Sequence, residues 1–325
     1  MSKLFILNIF YALIADAVWG LAYVIPNLLP NYTAVEITFG RYFVYGIFSI
    51  IMLLFQKQKS LRIMNTNIWR NAFLFSFCGN IGYYFFLVLS IKLTGATIAT
   101  LIIGMLSITT SLYGNFINHE FSFKKLILPI FVVIIGVLIL NYASLNRSTD
   151  TFNIYGVIYG LIALCLWTWY AVSNACFLKE NAEITSQMWS TITGTTTLCL
   201  IPFFILMIKV IMPDSLILFK LISPSNIVFK FWRTAVILGI VVSWIGTVFW
   251  NKASNALPIS LAGEMTVGET AFGLTYSFII EGRLPHIIEL ISIVIILTGI
   301  VYYIHTINCL NEGDEKYNVE NEKSC

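Results

Sequence analysis

The chain has 325 residues, of which 58% are hydrophobic and only 11% charged, with a formal net charge of +3 and a mean hydropathy of +0.85. A soluble domain carries roughly 25% charged residues, so this composition cannot cover a water-facing surface and excludes an ordinary soluble enzyme. The small net charge gives no reason to expect a nucleic-acid partner, and the charged residues fall between apolar runs, as loops and interfacial anchors do.

A helix needs about 20 residues to cross about 30 Å of hydrocarbon. Apolar runs of that length stand at 5–29, 34–55, 69–91, 95–117, 124–143, 154–177, 187–209, 233–253, 256–279 and 285–307. The expected fold is therefore an all-α integral membrane protein of ten transmembrane helices. Lys3 before the first run resembles a signal peptide, but no small-x-small cleavage site ends that run, and it is expected to stay in the mature chain. Pro30, Asn31 and Tyr32 nearly suffice to join the first two spans, which makes them antiparallel neighbours. The connection at 210–232 is itself apolar and is expected along the interface. The polar segment 308–325 reads as an unstructured cytoplasmic tail. Pro26 and Pro202 are expected to kink their helices.

Lys and Arg are more frequent on the N-terminal side, where Lys57, Lys59, Arg62, Arg70, Lys124 and Lys125 cluster. That bias puts both termini in the cytoplasm, although the loop after the seventh span opposes it.

The six cysteines form no C-x-x-C pair and His119, His286 and His305 are scattered, so neither a disulfide framework nor a metal site is expected. No G-x-x-x-x-G-K-[ST] or G-x-G-x-x-G is present, which argues against an ATPase or a dehydrogenase. No cofactor is expected.

The chain repeats itself. LIADAVWGLAYVIPN from Leu13 aligns without gaps on LIALCLWTWYAVSN from Leu161, pairing Trp19 with Trp167, and the same spacing pairs Gly46 with Gly194. GNIGYYFF from Gly79 resembles SWIGTVFW from Ser243, and Glu120 corresponds to Glu281. Two units follow, 5–143 and 154–307. Because each holds five spans, the second starts from the opposite side of the membrane, and the units are inverted repeats as in secondary transporters.

Charges inside spans cost roughly 2.5–3.5 kcal/mol each on insertion scales, so Asp16, Arg41, Glu264 and Glu269 require a reason. Ion pairing that fixes packing, for example Arg41 with one of the acids, is one reading. A coupling site or a contact to a charged substrate is the other. Trp19, Tyr83, Tyr84, Trp167, Tyr170 and Trp250 are aromatic groups within spans, where they can line a cavity, with Asn80, Asn174 and Asn251 supplying hydrogen bonds. Interfacial anchoring is the alternative for about half of the aromatics. Gly104, Ser107 and Ser111, like Gly263, Gly268 and Gly273, favour close helix approach.

At these residues the chain resembles the drug/metabolite transporter superfamily, in particular its ten-helix members with two EamA-type repeats. The carrying features are Trp19-Gly20, Arg41, and the Glu closing spans four and nine, Glu120 and Glu281. The likeness spans about 5–307. WTWYAVSN (167–174) and FWNK (249–252) are similar to bacterial aromatic amino acid exporters. In spans four and nine many members carry Ser-Pro where this chain reads SITTS and GETAF. The resemblance implies gradient-driven export of small metabolites across a bacterial inner membrane, with Trp19, Tyr83, Tyr84 and Trp167 in the cavity.

The expected function is thus a secondary transporter, not an enzyme, exporting amino acids or related small molecules, with proton coupling left open. A membrane-embedded enzyme acting on a lipid-linked substrate is the alternative, since two carboxylates on one helix can do acid–base work.

Overall fold

The computed structural model describes residues 3–55, 65–145, 153–211, 221, 225–282 and 284–323. The described residues form helices and the turns between them. Helix α1 is Lys3–Val24 and α2 is Ala34–Leu54. Helix α3 begins at Thr66–Ser76, passes through a π-helical segment at Phe77–Gly82, and continues in Tyr83–Ile103. Helix α4 takes in the end of that stretch, from Ile102, and Leu106–Asn118, and α5 is Phe123–Leu145. In the second half α6 is Ile154–Glu180 and α7 is Ser186–Ile211. Helix α8 comprises Asn226–Val236, a second π-helical segment at Ile237–Ile245, and Gly246–Ala256. Helix α9 is broken at Thr266 into Ile259–Met265 and Val267–Glu281, and α10 is Ile287–Lys323.

Seven of these are long and apolar enough to cross a membrane by themselves. Spans four and nine are interrupted, and α5 completes the ten. The stretch Tyr83–Ile103 belongs to two spans. Ser90 and Ile102 would be separated by about 18 Å along a straight helix, yet a Cβ on Gly160 would meet both, at 2.9 and 2.8 Å. The chain therefore turns back between them, and Ile102 already belongs to α4.

Polar caps set the starts. Thr33 and Glu36 close a reciprocal capping box on α2. Asn65, Asn153 and Ser225 cap α3, α6 and α8. Each cap satisfies amide donors that lipid cannot.

Large apolar side chains such as Phe10, Phe131, Phe203 and Val301 face outward, whereas Thr191, Thr193, Thr196 and Thr197 of α7 are buried. This distribution suits a lipid-facing surface. Their hydroxyls bond carbonyls one turn back, and neighbouring helices donate to α7 carbonyls: Tyr45 Oη to Ser190 O at 2.8 Å and Ser76 Oγ to Thr193 O at 2.8 Å.

Helix packing obeys the expected inversion. Helix α1 packs on α8 and α9, and α6 packs on the equivalent α3 and α4; α2 packs on α7 and α5 on α10. The α5–α10 contact is self-reciprocal: a Cβ on Gly136 would meet Ile296, and one on Gly299 would meet Val133. Equivalent positions thus swap roles, which is the signature of a two-fold relation. Both π segments also fall at the same place in their halves.

Helices α4 and α9 approach so closely that a Cβ on Gly263 would lie 2.8 Å from Ser111 N and 2.9 Å from Thr110 C. Backbone cannot move aside as a side chain can. Gly263→Val is expected to destabilise the protein by about 1–3 kcal/mol, measured as a lower Tm in detergent.

Two expectations change. Pro26 lies in a 3-10 turn at Ile25–Leu28 beyond the end of α1, not inside that helix, whereas Pro202 lies within α7, Ser186–Ile211. The tail expected to be unstructured continues the backbone of α10 to Lys323, since extending a formed helix is far easier than starting one. The expected interfacial segment 210–232 lies mostly outside the described residues; within it Trp232 Nε1 donates to Leu221 O at 2.9 Å.

Candidate functional site

Three tryptophans from α1, α6 and α8 meet at the centre. Trp19 lies 5.9 Å from Trp167, edge to face, and 5.5 Å from Trp250, and Trp167 lies 5.8 Å from Trp250. Tyr83 and Tyr170 extend the cluster on either side of Trp167, each at 6.3 Å. All five are buried. Glycines give these rings their seats: a Cβ on Gly246 would strike the Trp19 ring, and one on Gly79 the Tyr170 ring, both at 2.5 Å. Such offset and edge contacts add about 0.5–1.5 kcal/mol each beyond burial.

The second π segment supplies polar partners. Trp19 Nε1 donates to Val242 O at 3.1 Å, and Arg41 Nε donates to Ser243 Oγ at 2.9 Å. Ser243 Oγ in turn donates to Leu238 O, five residues back. The Arg41 guanidinium stands 4.5 Å above the Tyr84 ring and 5.2 Å from that of Tyr42, and Tyr42 and Tyr84 meet edge to face at 6.0 Å. No carboxylate among the described residues pairs with Arg41. Of the two readings, ion pairing of Arg41 with Asp16, Glu264 or Glu269 is not seen among the described residues; cation–π contacts and a serine hydroxyl hold Arg41 instead. Glu36, five residues before Arg41, is engaged in the α2 cap.

Asp16 is fully buried one turn before Trp19, and neither carboxylate oxygen has a hydrogen-bond partner. It lies against Gly268, where a Cβ would come within 2.6 Å of Oδ2. Glu269 is close enough to interact electrostatically with both Asp16 and Tyr83. The two acids thus stand beside the aromatic centre, and Arg41 stands beside Tyr84 and Tyr42.

Asn174 and Asn251 form a buried relay: Trp189 Nε1 donates to Asn174 Oδ1 at 2.6 Å and Asn174 Nδ2 to Asn251 Oδ1 at 2.9 Å. Asn251 Nδ2 and Trp250 Nε1 are then buried donors without an acceptor. Two expected site residues go elsewhere. Asn80 Nδ2 donates to Thr197 Oγ1 at 2.9 Å, tying α3 to α7. Glu264 faces α4 and α10, away from Glu269, because five residues turn a helix by about 140° and α9 is broken between them.

Nothing in the sequence marks Tyr42 and Ser243 as the partners of Arg41. Tyr42 adjoins Arg41 in the chain, but only the fold brings Ser243 from α8.

A cavity of about 390 Å³ opens between α3, α4 and α6, lined among others by Asn67, Arg70, Asn71, Phe75, Trp169 and Glu180. Phe75 separates it from the centre: its ring is 5.7 Å from Trp169 and 6.0 Å from Tyr170, and Tyr170 touches Trp167. The arrangement is an aromatic centre flanked by charge, with a vestibule on one side.

A family model described as the EamA-like transporter family matches residues 6–142. Inner membrane protein YtfF of Escherichia coli (strain K12) is 30% identical over 306 residues, covering 90% of this chain and 94% of its own. The chain belongs to the EamA-like transporter family. A second relative, named uncharacterized transporter YyaM, of Bacillus subtilis (strain 168), is 22% identical, covering 92% of each chain. A solved crystal structure, 16% identical, superimposes with a TM-score of 0.73 over 93% of this chain and 98% of its own, which shows the fold. Membership of the EamA-like family makes this chain an integral membrane transporter of the drug/metabolite type, one that handles a small-molecule substrate within a lipid bilayer.

Proposed function

We propose that the protein is a secondary exporter of amino acids or closely related zwitterionic metabolites, working by alternating access. The carrying observation is the polar complement of the aromatic centre. Among the described residues Trp250 Nε1 and Asn251 Nδ2 are buried donors without acceptors, Asp16 presents buried acceptors without donors, and Arg41 has no acid partner. Unmade hydrogen bonds of this kind cost about 1–3 kcal/mol each. A solute carrying both a carboxylate and an ammonium group relieves them together, and the Trp and Tyr faces pack its apolar part. The inverted halves supply two near-equivalent arrangements between which such a site can alternate, and the vestibule behind Phe75 is one approach to it.

Asp16, Glu269 and Glu264 are the groups proposed to couple transport to a proton gradient. The proposed setting is the bacterial inner membrane with both termini in the cytoplasm, supported by the Lys and Arg bias; the vestibule bordered by Arg70 then faces the cytoplasm.

Uptake and efflux in proteoliposomes, screened over amino acids, amines and nucleosides, identify the solute. With it in hand, Glu269→Gln and Glu264→Gln are each expected to abolish accumulation driven by a pH gradient while leaving solute exchange at equal pH measurable. If both variants accumulate solute as the native protein does, the coupling role is wrong. Preference for nucleosides or simple amines over amino acids refutes the zwitterion reading.

A further inference from the structure

Glu264 is fully buried, stands apart from the aromatic centre, and makes no hydrogen bond through either carboxylate oxygen. An ionised carboxylate in such a place is costly, so a proton or a cation has to accompany it. What surrounds it is a line of hydroxyl groups. Ser111 of α4 is the hydroxyl beside it. Ser111 Oγ is 2.9 Å from Tyr303 Oη of α10. Tyr303 also neighbours Ser260, whose Oγ donates to Glu120 Oε2 at 2.7 Å. Glu120 closes the line at the membrane surface, with Oε1 4.0 Å from Lys179 Nζ.

Burial along this line is graded. Ser111, Tyr303, Ser260 and Glu264 are all at 0%, whereas the side chains of Glu120 and Lys179 are exposed by 14% and 32%. Glu120 is held still at the outer end because it also accepts the amides of Ile259 and Ser260, at 2.6 and 2.9 Å, at the start of α9. Each of the three hydroxyls can donate and accept at once, as a proton relay requires. Among the other charged groups near this segment, Asp16 of α1 lies further along α9 against Gly268, and Lys252 of α8 is turned to the rings of Tyr11 and Phe249.

We propose that Glu264 is a proton-binding site filled and emptied from the Glu120–Lys179 side through the hydroxyls of Ser111, Tyr303 and Ser260. A proton arriving at Glu120 passes to Ser260, each hydroxyl hands its own proton inward as it accepts one, and Ser111 delivers one to Glu264. One proton enters, the carboxylate becomes the neutral acid, and no other group changes its net charge. In this conformation the line is open at two links, because Ser260 donates outward to Glu120 and Ser111 meets Tyr303; turning the Ser260 hydroxyl toward Tyr303 and the Ser111 hydroxyl toward Glu264 closes it. The proposal deepens the coupling role given to Glu264 above.

The test reads Glu264 without substrate. Protein in lipid vesicles is transferred to heavy water and followed by infrared difference spectroscopy. The expected result is a C=O stretch of a protonated carboxylic acid that is missing from Glu264→Gln. Tyr303→Phe and Ser111→Ala should keep that band but exchange its proton for deuterium about tenfold more slowly or more. The proposal is overturned if the spectrum of Glu264→Gln matches the native one, or if both hydroxyl variants exchange at the native rate. Loss of the band on adding sodium chloride at constant pH also overturns it, because the site then holds a cation. A missing band or unslowed exchange in protein that still transports sinks the relay alone, whereas normal band behaviour in protein that moves no solute sinks the transport reading alone.

Discussion

Trp167→Ala is expected to destabilise the protein by about 3–5 kcal/mol and to abolish transport. Trp167 is 5% exposed and is the ring that Trp19, Trp250, Tyr83 and Tyr170 share. Its removal leaves a void bounded by rings on three other helices and by Tyr170 of α6 itself, and α1, α3 and α8 cannot all move inward while Gly246 and Gly79 hold Trp19 and Tyr170 in their seats. Trp167→Phe retains a face for packing and should cost well under half as much. Thermal unfolding in detergent compares the two. A native-like Tm for the alanine variant would mean that the centre is loosely packed and that the rings do not define the site.

The second large effect separates function from stability. Arg41→Gln should lower affinity for a carboxylate-bearing solute by about 10–100-fold, corresponding to the 1.5–3 kcal/mol of a hydrogen bond to a charged group, while leaving Tm nearly unchanged. The reasoning is that Arg41 has no carboxylate whose charge its loss would strand; it rests on Tyr84, Tyr42 and Ser243 Oγ. Arg41→Lys keeps the charge and loses the planar fork, so it should fall between the two. The corresponding decarboxylated amine, used as a competitor, should be indifferent to all three side chains. A large drop in Tm for Arg41→Gln, with unchanged affinity, would assign Arg41 to packing.

Much of this architecture is legible in the residues. Hydropathy fixes the spans because lipid demands length and apolarity together, and the pairing of Trp19 with Trp167 announces two halves that meet at those rings. Asp16 and Trp19, three residues apart, necessarily share a helix face. What escapes is anything set by contact between helices. That Asn80 bonds Thr197 of α7 cannot be read from the residues. Ser243, an ordinary serine in an apolar run, becomes the partner of Arg41 only when α2 and α8 come together, and Tyr303 gains its neighbour Ser111 only from the α4–α10 approach. The separation of Glu264 from Glu269 was available from their five-residue spacing, a clue that grouping them as two acids on one helix obscures.

The π segments in α3 and α8 have a consequence for aim. Each carries one residue more than an α-helix needs, and a residue advances the phase of a helix by about 100°. Tyr83 and Tyr84 follow immediately after the first segment, Trp250 and Asn251 within two turns of the second. Deleting a single residue from either segment would restore regular geometry and swing those side chains a quarter turn or more out of alignment, without altering the composition of the helix. The orientation of half the site is in this sense stored as an insertion, and each half carries one.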